Sequence, residues 1–296
     1  MTRKLQISLL AALLAGCGTL AIDLPAVTEA PTGVHHSGRV IWHDLLTTTP
    51  AESRRFYGEL FGWTFEKPGI DVGLGGDEDY MLIRHNGRLI GGMLDANTLN
   101  REINISQWIT MISVADIDAA AAGVEANGGK VLTEPTDLAS RGSLAVLEDS
   151  TGALFAMIQA RGGDPAVHAP DVNDFLWNEL WTDDVAAAGD FYKNVFGYQQ
   201  QPLPDSVTAE FLALGMGEAP LIGVLDNPFE GERPTWINYL RVDDPAAITA
   251  KVTALGGRII VDEQARPIGG RVALVAGPSG AGIALQTWPL GSGDDE

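Results

Sequence analysis

Two carboxylates, Asp44 and Glu179, each follow a tryptophan by two residues, Trp42 and Trp177, in stretches that read as β-strands. Side chains alternate across a strand, so Trp42, Asp44 and Leu46 share one face while His43, Leu45 and Thr47 share the other. Trp108, Trp181 and Trp236 also lie in or beside strand starts, and Asn238 follows the last of them. Two chemistries suit such a set. A carboxylate in apolar surroundings has its pKa raised toward neutrality and can abstract a proton, which makes Asp44 and Glu179 candidate catalytic bases. An aromatic box with a single carboxylate instead receives a flat or cationic organic ligand, by burial and cation–π attraction. Its ligand-binding residues would be Trp42, Asp44, Trp108, Trp177, Glu179, Trp236 and Asn238. Each residue also has a plain structural use, because tryptophans fill cores and a carboxylate accepts a hydrogen bond from an indole or backbone N–H. Metal chemistry has weaker support. His35-His36 lacks third and fourth ligands, and the acidic run 73–79 (GLGGDED) lacks the spacing of a calcium loop.

The elements that position these residues are announced by an internal repeat. Residues 41–63 (IWHDLLTTTPAESRRFYGELFGW) are answered by 176–198 (LWNELWTDDVAAAGDFYKNVFGY), and 107–131 by 235–259. A duplication on this scale means that each copy is a complete folding unit. Within a copy the order strand-helix-strand-strand-strand runs twice. Thr49-Pro50-Ala51-Glu52 predicts a capping box with Pro at the first helical position, and Gly62 predicts the stop. Asp116, then Asp183 or Asp184, then Asp244-Pro245 open the other helices. Asn86-Gly87 predicts a tight hairpin turn and leaves His85 beside it in solvent.

Composition bounds the function. The 296 residues allow two domains, and 45% hydrophobic with 20% charged residues is a globular balance. A net charge of −20 makes nucleic acid and anionic lipid poor partners and leaves a small molecule as the natural one. Arg3 and Lys4, an apolar stretch from Ile7 to Leu14 and then Leu14-Ala15-Gly16-Cys17 predict a signal peptide over residues 1–16. The tetrapeptide resembles a bacterial lipobox, which would make Cys17 the lipidated first residue of the mature chain; an ordinary signal peptide with a chance cysteine is the other reading. Residues 17–38 then read as a flexible tether, 39–161 and 174–290 as the two domains, 162–173 as a linker and 291–296 as an acidic tail. The expected location is the bacterial cell envelope, with Gly18 after the cysteine favouring the outer membrane of a didermal host.

Four βαβββ modules, with "FY" and a following glycine closing one helix and "GG" another, resemble the vicinal oxygen chelate superfamily of glyoxalases, bleomycin-resistance proteins and extradiol dioxygenases. The resemblance implies an α+β fold of two tandem glyoxalase-like domains, each a pair of modules curled into a half-open barrel around a cup. With both halves of each barrel in one chain, a monomer suffices. Enzymatic relatives hold a divalent metal at the start of a first strand and near the end of a last one. The corresponding positions here fall at or beside Trp42 and Trp177, at Trp108 or Ile109, at Trp236 or Ile237, and at Ala156 and Ala284. An alanine methyl donates nothing to a metal. The expectation is therefore a metal-independent binder of hydrophobic or aromatic small molecules, with no cofactor. The alternative is a metal-dependent glyoxalase, lyase or dioxygenase-like enzyme with a rearranged site.

Overall fold

The computed structural model describes residues 22–76, 78–99, 104–203, 211–217, 219–266 and 269–288. The signal peptide, Cys17 and the acidic tail lie outside the described residues. The first unit runs β1 (Val40–Thr47), α1 (Pro50–Phe61), β2 (Thr64–Glu66), β3 (Tyr80–His85), β4 (Arg88–Asp95), then β5 (Gln107–Ser113), α2 (Ile117–Ala126), β6 (Lys130–Asp137), β7 (Gly142–Glu148) and β8 (Leu154–Ala160). The second repeats it with β9 (Phe175–Thr182), α3 (Val185–Phe196), β10 (Gln199–Gln201), β11 (Phe211–Met216), β12 (Ala219–Asp226), β13 (Thr235–Arg241), α4 (Pro245–Val252), β14 (Arg258–Ala265), β15 (Arg271–Ala276) and β16 (Gly282–Gln286). Each unit folds into one eight-stranded sheet, ordered β2-β3-β4-β1-β5-β8-β7-β6 and β10-β11-β12-β9-β13-β16-β15-β14. The first strands of the two modules pair antiparallel at the centre, β1 with β5 and β9 with β13. This is the α+β tandem architecture that the repeat announced.

Helix signals in the sequence are used as expected, with one exception. Asp116, Asp184 and Asp244 each accept a hydrogen bond from a first-turn N–H. Thr49 does not: α1 starts at Pro50, but the Thr49 side chain makes no cap and its hydroxyl is buried without a partner. The Thr47 hydroxyl takes over instead, accepting from Thr49 N–H at 3.1 Å and lying 2.7 Å from Ser53 Oγ.

The two repeated phrases, "FY" and "GG", turn out to be one device. Helix α1 of the first unit packs into a core completed by Leu240, Val252, Val275 and Ile283 of the second. Helix α3 of the second packs reciprocally against Ile112, Val124, Leu147 and Phe155 of the first. Phe56 and Phe191 lead the contact. A Cβ on Gly257 would collide with the Phe56 ring, and one on Gly129 would stand 3.0 Å from Phe191 Cε2. The glycine before each of these has positive φ, 85° at Gly128 and 87° at Gly256, which a turn here requires. The adjoining tyrosines accept indole N–H bonds at 3.2 Å, Tyr57 from Trp108 and Tyr192 from Trp236. Tyr192 in turn donates to Asp149 at 3.0 Å, in a turn of the other unit. The halves therefore interlock, each burying its helix in its neighbour's core.

At the centre of that contact lies a polar quartet. His43 Nε2 is 2.8 Å from Asn178 Oδ1, and Thr110 donates to Asn238 Oδ1 at 2.7 Å. His43 stacks on Phe175 with ring centroids 3.8 Å apart. Burial lowers its pKa to about 4, the Asn178 bond opposing, so the ring is neutral near pH 7.

Two sequence expectations are corrected by this packing. His85 is buried and bonded to Asp174 Oδ1 at 2.6 Å rather than solvated. Residues 22–38, expected as a tether, instead lie along the first unit. Val27 is buried, Thr32 donates to Asp164 O at 2.9 Å, and Gly33 N–H donates to Gly162 O at 2.9 Å.

Candidate functional site

The concave face of each sheet carries every second residue of its central strands. In the first cup these are Trp42, Asp44 and Leu46 of β1, Ile109 and Met111 of β5, and Ala156 and Ile158 of β8. Tyr80 joins them from β3. Asp44 is opposed across the ladder by Gly92 of β4, where a Cβ would overlap both its Oδ1 and the Tyr80 hydroxyl. Glycine inside a strand here makes room for a side chain crossing over it.

Asp44 is fully engaged. Its Oδ1 accepts from Trp42 Nε1 and from the Tyr80 hydroxyl, each at 2.7 Å, and its Oδ2 accepts from Arg141 Nη1 at 3.1 Å. Arg141 Nη2 also donates to the Tyr80 oxygen at 2.6 Å, and its guanidinium carbon stands 5.0 Å from the Trp42 ring centre and 5.2 Å from that of Tyr80. Arg141 is 0% exposed. Burial raises the Tyr80 pKa far out of the physiological range, so it remains a neutral donor. Burial alone would lower the Arg141 pKa, but its interactions with Tyr80 and Asp44 outweigh that and hold the pKa above its usual value. A buried carboxylate is thus balanced by a buried cation from its own chain.

The second cup repeats the solution with different parts. Glu179, 0% exposed, accepts from Trp177 Nε1 at 3.1 Å, from Trp181 Nε1 at 3.4 Å and from the Tyr239 hydroxyl. Arg266 Nη2 donates to Glu179 Oε1 at 2.8 Å, while Nη1 donates to Gln286 and the guanidinium lies over the Tyr239 ring. Gly223 faces Glu179 across the ladder, and a Cβ there would stand 2.9 Å from Glu179 Cγ.

The cups differ at their mouths. Over the first, Arg141 Nε donates to Pro25 O at 2.9 Å and Ser140 N–H to Asp23 Oδ1 at 2.9 Å. Ile22 and Leu24 close the wall, leaving a cavity of about 50 Å³. Among the described residues no such strap is bonded to Arg266, and Trp177, Leu225, Phe229 and Val272 of the second cup keep partial exposure.

The structure gathers Trp42 with Asp44, and Trp177 with Glu179, into the cups. Trp108, Trp236 and Asn238 are not brought there. Their strands turn these three to the helix-covered face, where the tryptophans bind the "FY" tyrosines and Asn238 meets Thr110. Sequence reading missed Tyr80, Arg141, Tyr239, Arg266 and Gln286. The one available signal was Gly91-Gly92 inside a predicted strand, which marks a close approach; nothing in the sequence assigned the arginines to a carboxylate.

A divalent metal at the family position finds poor donors. Ala156 and Ala284 face the cups with methyl groups, and the carboxylates of Asp44 and Glu179 are occupied by a guanidinium and neutral N–H or O–H donors. Among the described residues no group of three His, Cys, Asp or Glu could hold an ion. The residues present do not fit the metal.

Fold and site together define a two-domain protein with paired-module cups, and comparison with known proteins agrees. Residues 33–157 and 174–285 match the Glyoxalase/Bleomycin resistance protein/Dioxygenase superfamily, and the chain belongs to that family. It is 30% identical to "Putative glyoxylase CFP32" of Mycobacterium tuberculosis (strain CDC 1551 / Oshkosh), over 83% of this chain and 94% of the relative. It is 29% identical to the anthracycline biosynthesis protein DnrV of Streptomyces peucetius, over 84% of this chain and 92% of the relative. Among solved structures it resembles the Mn(II)-bound glyoxalase from Novosphingobium aromaticivorans, with TM-score 0.57 and 17% identity over 86% of this chain and 83% of that one. It also resembles an extradiol ring-cleaving dioxygenase from B. fuscum, with TM-score 0.58 and 16% identity over 92% of this chain and 78% of that one. At such identities these two structures support the fold.

Proposed function

We propose that this protein is a metal-independent binder of hydrophobic or aromatic small molecules, carried on the bacterial envelope through a lipidated Cys17. The observation that carries the reading is the guanidinium bonded to the carboxylate of each cup, Arg141 to Asp44 and Arg266 to Glu179. The cation a cup needs is supplied by the chain itself. With three donors on Asp44 and four on Glu179, neither carboxylate is set out for a divalent ion, a cationic ligand or a substrate proton. What the second cup does offer is aromatic surface from the partly exposed Trp177 and Phe229. It is the working cup in this reading, since about 50 Å³ under the first strap exceeds the volume of a water molecule but not that of an aromatic compound. The relative named for anthracycline biosynthesis favours the same ligand class, since anthracyclines are flat polycyclic aromatics.

Tryptophan fluorescence titrated with neutral polycyclic aromatics tests the proposal. Saturable quenching that is weakened in Trp177→Ala is the expected result. A flat response across neutral and charged aromatics would remove the binder reading. The metal-dependent enzyme reading is favoured by the glyoxylase name of one relative and the Mn(II) of a solved neighbour. It requires Arg141 or Arg266 to leave its carboxylate, and further ligands to come from elsewhere.

A further inference from the structure

A second binding space lies outside both cups, in the cleft where the two units and their connection meet. It encloses about 300 Å³, at the lower end of the range for small-molecule sites. Arg39, His43 and Leu89 line it from the first unit, Val167 from the connection, and Phe175 and Trp177 from the second. Its roof is stiff and apolar, because Pro165 and Pro170 bracket Val167, which is 55% exposed.

The charge of this cleft runs against that of the molecule. Asp174, the one acidic residue lining it among the described residues, is already neutralised, bonding His85 and Arg88 and accepting from Asp171 N–H. Arg39 is half-buried, and its side chain has no carboxylate or hydrogen-bond partner among the described residues. Most other described cations hold an acidic partner: Arg54, Arg84, Arg88, Lys130, Arg161 and Arg271 all do. In a chain of net charge −20, a partly desolvated guanidinium left unpaired beside an apolar cleft is an anion site in waiting. His43 adds no charge near neutrality, and His168 bonds a neighbouring carbonyl.

We propose that this cleft binds a small aromatic carboxylate, its anionic end on Arg39 and its ring between the Val167 arch and the Phe175–Trp177 wall. The site shares Trp177 with the second cup, but Arg39 and Val167 belong to the cleft alone, so it would stand if the binder reading of that cup failed.

The test is a two-dimensional amide and indole NMR titration of the full chain with benzoate, benzamide and sodium sulfate in parallel. Benzoate should shift the Val167 amide and the Trp177 indole saturably, with benzamide and sulfate each much weaker. Arg39→Gln should weaken benzoate roughly ten- to a hundredfold, the range expected for a lost charged hydrogen bond. Val167→Asp, which sets a negative charge on the exposed arch and removes an apolar contact, should weaken benzoate by a larger factor than benzamide. Arg54→Gln, which removes a surface guanidinium paired with Glu78 away from the cleft, should leave benzoate affinity unchanged. Equal shifts from benzoate and benzamide, no response at Val167, shifts confined to Trp181 and Tyr239, or an Arg39→Gln variant that binds as before would each overturn the proposal.

Discussion

The two cups contain the same cluster assembled from different positions. Asp44 and Glu179 occupy equivalent places, and so do the glycines opposite them, Gly92 and Gly223. The phenols do not. Tyr80 comes from β3, where the register equivalent in the second unit is Phe211, while Tyr239 comes from β13, where the first unit has Met111. The arginines enter from the same connection, before β7 and before β15, but at non-equivalent points, Arg141 on a short turn and Arg266 at the end of β14. Two copies that diverged this far while keeping carboxylate, guanidinium, phenol and indole together show which requirement is strict. A buried carboxylate needs a cation and two neutral donors, wherever they come from. The mouths teach the complementary lesson. Arg141 completes its hydrogen bonds on Pro25 of the strap and Arg266 on Gln286 of its own sheet, so one cup is finished by closing and the other without it.

The largest expected effect breaks the first cluster. Arg141→Met should destabilise the protein by about 3–5 kcal/mol, because Asp44 is then buried without its cation. Adding Asp44→Leu should recover most of that loss, and urea unfolding of the single and double variants measures both. A cost under about 1 kcal/mol for the single change would mean that the pair is not what holds the cup.

Acid should act at His43, whose counterpart is the uncharged Asn178. The unfolded ring titrates near 6.5 and the folded one near 4. The unfolded state therefore binds the extra proton between those values, and stability present above pH 6.5 falls as pH drops toward 4. The total is on the order of 3 kcal/mol. His43→Asn should flatten that part of the pH profile of unfolding without abolishing the carboxylate-dependent part below it.

Arg266→Met sharpens the comparison of the cups. Glu179 keeps three neutral donors, Trp177, Trp181 and Tyr239, against two on Asp44, and Arg266 is less buried than Arg141. The cost should therefore be about 2–3 kcal/mol and below that of Arg141→Met. The helix exchange makes a smaller asymmetric prediction. A Cβ at either glycine meets a strand carbonyl, Ala276 O at 2.7 Å from Gly257 and Glu148 O at 2.6 Å from Gly129. The Phe56 ring at 2.4 Å is closer than Phe191 at 3.0 Å, so Gly257→Ala should cost more than Gly129→Ala, with both within about 1–3 kcal/mol. Thermal unfolding of the two variants side by side reads the difference, and the reverse order would contradict the packing account.

Much of the scaffold could be read from the chain because it rests on local rules. The repeat gave the module order, aspartates marked three helix starts, and the Asn86-Gly87 turn holds both residues at positive φ as a tight hairpin demands. Alternation along β1 and β9 put Asp44 and Glu179 on the faces the structure gives them. Alternation along β5 and β13 was available too. Trp108 and Trp236 were nevertheless drawn to the cup by their position at strand starts, when their indoles answer tyrosines on helices α1 and α3. The arginines and the strap were illegible for a different reason. Arg141 is 97 residues from Asp44 and 116 from Pro25, and such contacts follow from tertiary closure, not from any local pattern.

The most direct test of the central claim is elemental analysis of untagged protein after dialysis against manganese, zinc and nickel. A chain whose cups carry their own cations should return with metal far below stoichiometric levels, and Asp44→Asn and Glu179→Gln should change nothing in that count. Stoichiometric metal that disappears in either variant would show that the guanidinium yields its place to an ion, and the enzyme reading would replace the binder.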